Sequence, residues 1–170
     1  GYDKVIRTGL SAIRDEAVQK QKELIDNFMQ GDEIDKYNFY RAVEIVCDGM
    51  ITFAKRYSRL AAEKALTETN SVRKAELEKM SLALNNVFDK PCKTFHEAIQ
   101  CLYLYQTCLC LEANMHGITF GRVDQYLGDF AGRDIASGVI TADEAQELMD
   151  MFYLKVAEMN KPWSFGATQS

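Results

Sequence analysis

The stretch that decides how the chain is organised is MHGITFGRVDQY, which occupies residues 115–126. It follows the most apolar helical pattern of the sequence, residues 94–115, whose only charged residues are Glu97 and Glu112. A helix that is apolar nearly all round belongs in the interior of a protein rather than on its surface. We therefore predict a buried helix that delivers the residues after it to the floor of a functional site.

The residues that follow this helix change character abruptly. Gly117 and Gly121 bracket residues 118–120, a β-prone triplet that predicts a short strand. Arg122 and Asp124 come directly afterwards. An ordinary helix-to-strand connection with Arg122 and Asp124 as a structural ion pair explains the same residues without any function, because ion pairs often serve structure alone.

His116 is one of only two histidines in the chain. Beside a glycine at the end of a buried helix, its imidazole can exchange hydrogen bonds with a ligand near neutral pH. A histidine satisfied within the core explains the same position, and the residues alone leave both readings open. No histidine–carboxylate spacing typical of a metal site occurs, and neither a Walker loop nor a GxGxxG motif is present. We therefore predict no bound metal and assign no nucleotide site.

Length and composition describe an ordinary globular segment. The chain has 170 residues, a net charge of −5 and five cysteines. The acidic balance argues against nucleic acid or an anionic membrane as a partner. Polar residues interrupt the longest apolar run, so no membrane span is predicted. The cysteines are odd in number and lack a CxxC pair, which indicates reduced thiols in a cytosolic protein.

Apolar residues recur at helical spacing over most of the chain. That spacing predicts helices over residues 2–28, 34–67, 72–88, 94–115 and 142–160, with a short irregular or helical stretch over 126–132. The expected fold class is mainly α with one or two short strands. No internal boundary is visible, so residues 1–170 are expected to be a single segment. The start without methionine and the aromatic end without a closing element indicate a piece of a longer polypeptide.

Several stretches, taken in order, resemble the glycyl radical enzymes, the superfamily of pyruvate formate-lyase and its dehydratase and decarboxylase relatives. The most specific match is HGITFGRVDQYL, residues 116–127, which is similar to the family's HSISPGRFDQYMYP. Further matches are GYDKVIRTGL at 1–10, NFYRA at 38–42, DGMITFAKRY at 48–57, TFHEAIQ at 94–100 and the tail helix at 140–148. The resemblance covers essentially the whole chain.

The resemblance implies where the site residues lie. Glycyl radical enzymes have a barrel of ten strands, in two half-barrels wrapped by helices, and residues 118–120 would belong to an inner strand of it. His116 and Gly117 fall where relatives place substrate-binding residues. Thr119, Arg122 and Asp124 would be supporting groups that hold this strand.

The resemblance also implies a reaction. A glycyl radical passes to a loop cysteine, and the resulting thiyl abstracts hydrogen from a small organic substrate whose C–C, C–O or C–N bond is then cleaved. The radical is generated by a separate radical S-adenosylmethionine activating enzyme, and the full-length protein is expected to be a cytosolic, anaerobic homodimer. Neither the RVxGY motif of the radical glycine nor the cysteine loop occurs in these 170 residues. The chain alone is therefore expected to be inactive, with its catalytic groups in the remainder of the same polypeptide.

The matches leave the substrate open. Gly117 stands where the glycerol-dehydrating type carries a serine, which removes one hydroxyl for a polyol and leaves room for a bulkier or carboxylated substrate. Pyruvate formate-lyase proper, a formate C-acetyltransferase, remains an alternative within the superfamily. A free-standing helical binding module without catalysis is the alternative from another class.

Overall fold

The computed structural model describes residues 1–27, 29–113 and 118–159. These residues form seven α-helices: α1 Tyr2–Thr8, α2 Leu10–Asp26, α3 Glu33–Thr67, α4 Ser71–Asn86, α5 Phe95–Ala113, α6 Val123–Ala136 and α7 Ala142–Glu158. The long α3 packs against α2 along its first half and against α4 along its second half, while α5 packs against α1, α4, α6 and α7. No helix within the described ranges is long and apolar enough to cross a membrane.

The start of α5 lies in the core, as its apolar pattern predicted. Ala98 and Leu102 are completely buried, and Cys101 is 1% exposed. The helix does not stay buried to its end, since Leu111 in the last turn is 71% exposed. The interior position predicted for this helix therefore holds for its first half, and its second half leads towards the surface.

A buried carboxylate fixes the beginning of α5. Asp134 of α6 is 3% exposed and accepts a hydrogen bond of 2.6 Å from the backbone N–H of Phe95. The first N–H groups of a helix have no partner within the helix, so this carboxylate supplies one. The Thr94 hydroxyl accepts from the Glu97 N–H at 3.1 Å, whereas the Glu97 carboxylate accepts from the N–H of Lys93 at 2.6 Å. The Asp134 contact thus joins the end of α6 to the start of α5.

Gly9 divides what the sequence predicted as one helix over residues 2–28. It has a φ of +75°, in the region that favours glycine, and a Cβ at this position would lie 2.8 Å from the carbonyl carbon of Lys90. The N–H of the next residue, Leu10, donates to the carbonyl of Phe88 at 2.5 Å. The chain thus bends at Gly9 because the turn after α4 packs directly against it, a contact that periodicity does not reveal.

The predicted strand at residues 118–120 is absent, and residues 118–122 lie outside any helix or strand. The Ile118 and Phe120 carbonyls accept hydrogen bonds from side chains, those of Gln106 and Tyr126. A strand needs a neighbouring backbone to complete its ladder, and here side chains satisfy those groups instead. The expectation of one or two short strands is therefore wrong: the described residues form helices and the turns between them, and contain no strand.

Candidate functional site

The segment at residues 118–122 leads into α6 and carries two of the five predicted site residues, Thr119 and Arg122, while a third, Asp124, lies in the first turn of α6. His116 and Gly117, the two predicted substrate-binding residues, lie outside the described residues. The candidate site is therefore described through residues 118–122 and the side chains that contact them.

Gln106 of α5 holds the first residue of the segment. Its side chain is buried, at 6% exposed, and its Nε2 donates to the carbonyl of Ile118 at 3.2 Å. Its Oε1 accepts a hydrogen bond from the hydroxyl of Tyr2 in α1. A buried amide is costly unless it is hydrogen-bonded, and here both its donor and its acceptor are used. One side chain thus joins α1, α5 and the segment.

Tyr126 of α6 holds the segment from the other side. Its ring is buried and its hydroxyl donates to the carbonyl of Phe120 at 2.8 Å. Burial, reinforced by the neighbouring Tyr2, raises the pKa of Tyr126 to about 12. Burial, reinforced by Tyr105, likewise raises the pKa of Tyr2 to about 12. Both phenols therefore keep the protons that they donate at any physiological pH.

Aromatic rings pack beneath the segment. The Tyr2 ring lies 5.5 Å from that of Tyr105, 5.6 Å from that of Phe120 and 6.5 Å from that of Tyr126, measured between centroids. Phe120 also meets Phe152 of α7 edge-on at 5.1 Å. Each such aromatic pair stabilises the fold by about 0.5–1.5 kcal/mol beyond the contribution of the apolar area that it buries. The segment rests on four helices at once, although it forms no regular structure of its own.

The three predicted supporting residues, Thr119 and Arg122 of the segment and Asp124 of α6, are exposed. The Thr119 hydroxyl accepts from the N–H of Gly121 at 3.0 Å, which closes a tight turn. The Arg122 guanidinium makes two hydrogen bonds to the Asp124 carboxylate, at 3.1 and 2.9 Å, and Gln125 donates a third at 2.9 Å. These bonds hold the pKa of Asp124 well below its usual range. Arg122 and Asp124 are 76% and 61% exposed, so the pair is a surface feature.

A groove of about 480 Å³ lies beside the segment, between the α3–α4 pair and the α5–α7 pair. Phe152 belongs to both, because it lines the groove and contacts Phe120. The half-buried His96 also lines it, and burial, with Lys79 nearby, lowers the pKa of this imidazole. Within the described ranges, His, Cys, Asp and Glu side chains nowhere gather into a group that could hold a metal ion.

Three side chains that build this region were not identified from the sequence: Tyr2, Gln106 and Tyr126. Gln106 was one of four polar residues that interrupt the apolar run, with Gln100, Thr107 and Glu112, and the pattern does not show which of them makes a buried polar contact. The pattern could not tell that its partner is a carbonyl 12 residues later.

Comparison with known proteins identifies the family. The pyruvate formate lyase-like family model matches residues 1–170. Isethionate sulfite-lyase from Nitratidesulfovibrio vulgaris is 39% identical over 158 residues, which are 92% of this chain and 19% of that protein. The glycerol-bound B12-independent glycerol dehydratase from Clostridium butyricum matches with a TM-score of 0.90 at 32% identity, over 98% of this chain and 21% of that one. A glycyl radical enzyme from Archaeoglobus fulgidus matches with a TM-score of 0.83 at 33% identity, over 87% of this chain and 19% of that one.

The chain spans about a fifth of the length of these relatives. The matches nevertheless run along almost the whole of this chain, and they agree in sequence and in the arrangement of the helices. The resemblance that the sequence motifs indicated is thereby confirmed. The chain belongs to the pyruvate formate lyase-like family, that of the glycyl radical enzymes.

Proposed function

We propose that this chain is part of an anaerobic, cytosolic glycyl radical enzyme that cleaves a C–C, C–O, C–N or C–S bond of a small organic substrate. The observation that carries this proposal is the family match over residues 1–170. The relatives include a sulfite-lyase and a dehydratase, which favours a lyase or dehydratase over formate transfer. In such an enzyme a thiyl radical removes a hydrogen atom from the substrate, and a closed interior keeps the radicals from solvent.

Within this reaction, His116 and Gly117 are proposed to contact the substrate. They directly precede Ile118, whose carbonyl is tied to α5 through Gln106. Thr119, Arg122 and Asp124 are proposed to hold the turn on the exposed side of the segment. Support for these roles comes from the motif match and from the anchored backbone next to it, because substrate-binding groups act best when their backbone is held firmly.

The thiol that abstracts hydrogen is proposed to come from outside these residues. Cys47, Cys92 and Cys101 are at most 7% exposed and pack as core residues. Burial also raises the pKa of Cys108 to about 11, so this thiol is protonated at neutral pH. None of the cysteines matches the family's loop motif. The radical glycine and the reactive cysteine are accordingly assigned to the remainder of the same polypeptide, and the chain alone is expected to be inactive.

The remainder of the polypeptide is also proposed to cover the apolar surface. Leu66, Leu82 and Leu111 are 82%, 75% and 71% exposed, and the groove between the two helix pairs is lined mostly by apolar side chains. Apolar surface of this extent usually marks a place where another part of a protein packs. In a full-length relative about four-fifths of the chain lies beyond the matching part, which is ample to cover these faces.

The test uses the full-length protein, incubated anaerobically with a radical S-adenosylmethionine activating enzyme. Electron paramagnetic resonance should show an organic radical, and consumption of isethionate or glycerol, the compounds in the names of two reported relatives, should be followed by NMR. Formate exchange into pyruvate serves as the control for the transferase alternative. The proposal predicts a radical and turnover of a compound that loses a substituent. Absence of the radical, with an activating enzyme that works on a known substrate protein, would refute it.

A further inference from the structure

The four buried polar side chains of the described residues differ in what they bond. Gln21 donates to the Glu44 side chain at 2.8 Å, the Ser58 hydroxyl donates to the carbonyl of Ser81 at 2.7 Å, and Asp134 caps α5. Three of these contacts thus join one helix to another. Gln106 instead donates to the carbonyl of Ile118, which lies outside the helices. A buried polar group is kept only with its partner, so this contact specifies where the segment begins.

The orientation of the Gln106 amide is fixed by its second partner. The Tyr2 hydroxyl donates to Oε1, which leaves the NH₂ group facing the carbonyl of Ile118. A rotated amide would place its oxygen against that carbonyl, so that two acceptors would face each other. The amide can therefore satisfy the carbonyl in one orientation only. Tyr2 determines that orientation, and Gln106 in turn determines the position of Ile118.

Hydrogen bonds from two side chains hold the segment at alternate carbonyls. Gln106 holds Ile118 and Tyr126 holds Phe120, while Thr119 between them is exposed. The chain on the N-terminal side of the first tie is Gly117 and His116. Displacing a substrate-contacting group by about 1 Å can lower a rate by about 100-fold. The hydrogen bond to Ile118 therefore lies directly after Gly117 and His116, the residues proposed to orient the substrate.

We infer that Gln106, oriented by Tyr2, is a positioning residue that sets the orientation of the substrate through the backbone of Ile118. The inference rests on the proposed function, because it requires His116 and Gly117 to meet the substrate. Gln106 itself touches no substrate. Its removal should act on catalysis through the position of the segment, while radical formation, which depends on other parts of the polypeptide, continues.

The experiment compares three variants of the full-length enzyme. Gln106→Met keeps the length of the side chain and removes both hydrogen bonds, and Tyr2→Phe removes only the hydroxyl that orients the amide. Ser58→Ala is the matched control, since Ser58 is also 6% exposed and loses a buried hydrogen bond away from the segment. Radical content, kcat and KM for the compound that wild type consumes, and amide hydrogen exchange over residues 118–126 are measured for each.

Gln106→Met should retain the radical, lower kcat/KM by roughly tenfold and accelerate exchange over the segment by a similar factor, as expected for loss of the one buried hydrogen bond that holds Ile118. Tyr2→Phe should also lower kcat/KM and accelerate exchange over the segment, but by smaller factors than Gln106→Met. This second variant keeps the test valid if Gln106→Met does not fold. Ser58→Ala should leave both unchanged. Unaltered kinetics in Gln106→Met, or an equal loss in Ser58→Ala, would overturn the inference. A wild-type enzyme without radical would instead refute the proposed function, and exchange would still show whether Gln106 holds the segment.

Discussion

The hydroxyl of Tyr126 lies 2.8 Å from the carbonyl oxygen of Phe120, so the first turn of α6 holds the segment that leads into it. Tyr126→Phe keeps the ring and leaves this carbonyl without its donor. We expect the local stability of the segment to fall by about 1 kcal/mol, the usual value of such a bond. Amide exchange over residues 118–126 of the full-length protein measures this. Tyr57→Phe, on the half-exposed ring of α3, is the control, and equal effects of the two would contradict the expectation.

The alkaline stability of this region should depend on two phenols, that of the half-buried Tyr2 and that of the buried Tyr126. The pKa of Tyr2 and that of Tyr126 are both raised from 10.0 to about 12. The folded state therefore favours the neutral phenols, and this stabilisation is complete below pH 10 and is lost as the pH rises towards 12. Tyrosinate absorbance of wild type minus that of Tyr126→Phe should show one group that ionises near pH 12. Ionisation near pH 10 would show that this phenol is not held in its neutral form.

Gly9 should tolerate no side chain. In Gly9→Ala the new Cβ would lie 2.8 Å from the Lys90 carbonyl carbon at a φ of +75°, so both a clash and backbone strain are added. Gly31→Ala adds a Cβ at a φ of +53° in open space, and only the strain remains. We expect Gly31→Ala to cost about 1 kcal/mol and Gly9→Ala clearly more. Soluble yield and thermal midpoint of the two full-length variants should separate them; similar losses would show that the turn after α4 moves aside.

His116→Ala in the full-length enzyme tests the proposed substrate contact. The rate should fall by about tenfold or more while the protein stays folded and keeps its radical, because an interaction with the substrate is removed. Spin quantification by electron paramagnetic resonance and steady-state kinetics decide the outcome. Unchanged turnover would return His116 to a structural role in the core.

The isolated chain should not behave as a stand-alone domain. With Leu66, Leu82 and Leu111 more than 70% exposed, we expect it to bind hydrophobic dyes and to associate at micromolar concentration. Dye fluorescence, light scattering and thermal unfolding measure this. A sharp cooperative melt of a monomer without dye binding would favour the helical binding module instead.

Helices with strong periodicity and local caps were predictable from the sequence. The long α3, Glu33–Thr67, lies where the spacing predicted a helix over residues 34–67, and α7 begins with a capping box formed by its neighbouring residues Thr141 and Glu144. Periodicity and caps are properties of neighbouring residues, so they can be recognised in a short window.

Features that depend on distant partners were not predictable. Residues 118–120 have the composition of a strand, but the carbonyls of Ile118 and Phe120 bond side chains, and no neighbouring strand is present among the described residues. β-propensity describes a fit to surrounding structure, and the surroundings here are helices. The bend at Gly9 depends in the same way on the turn after α4. The exposure of Arg122 and Asp124 could not be read from their spacing either.

The α5–α6 pair is held at both ends. Asp134 near the end of α6 binds the start of α5, while Tyr126 in its first turn and Gln106 of α5 bind the segment between the two helices. Fraying at the start of α5 or at either end of α6 would break one of these contacts. Helices α5 and α6 are therefore expected to open and close as one cooperative unit, and an insertion or deletion between them would disturb the capping contact of Asp134 at the far end.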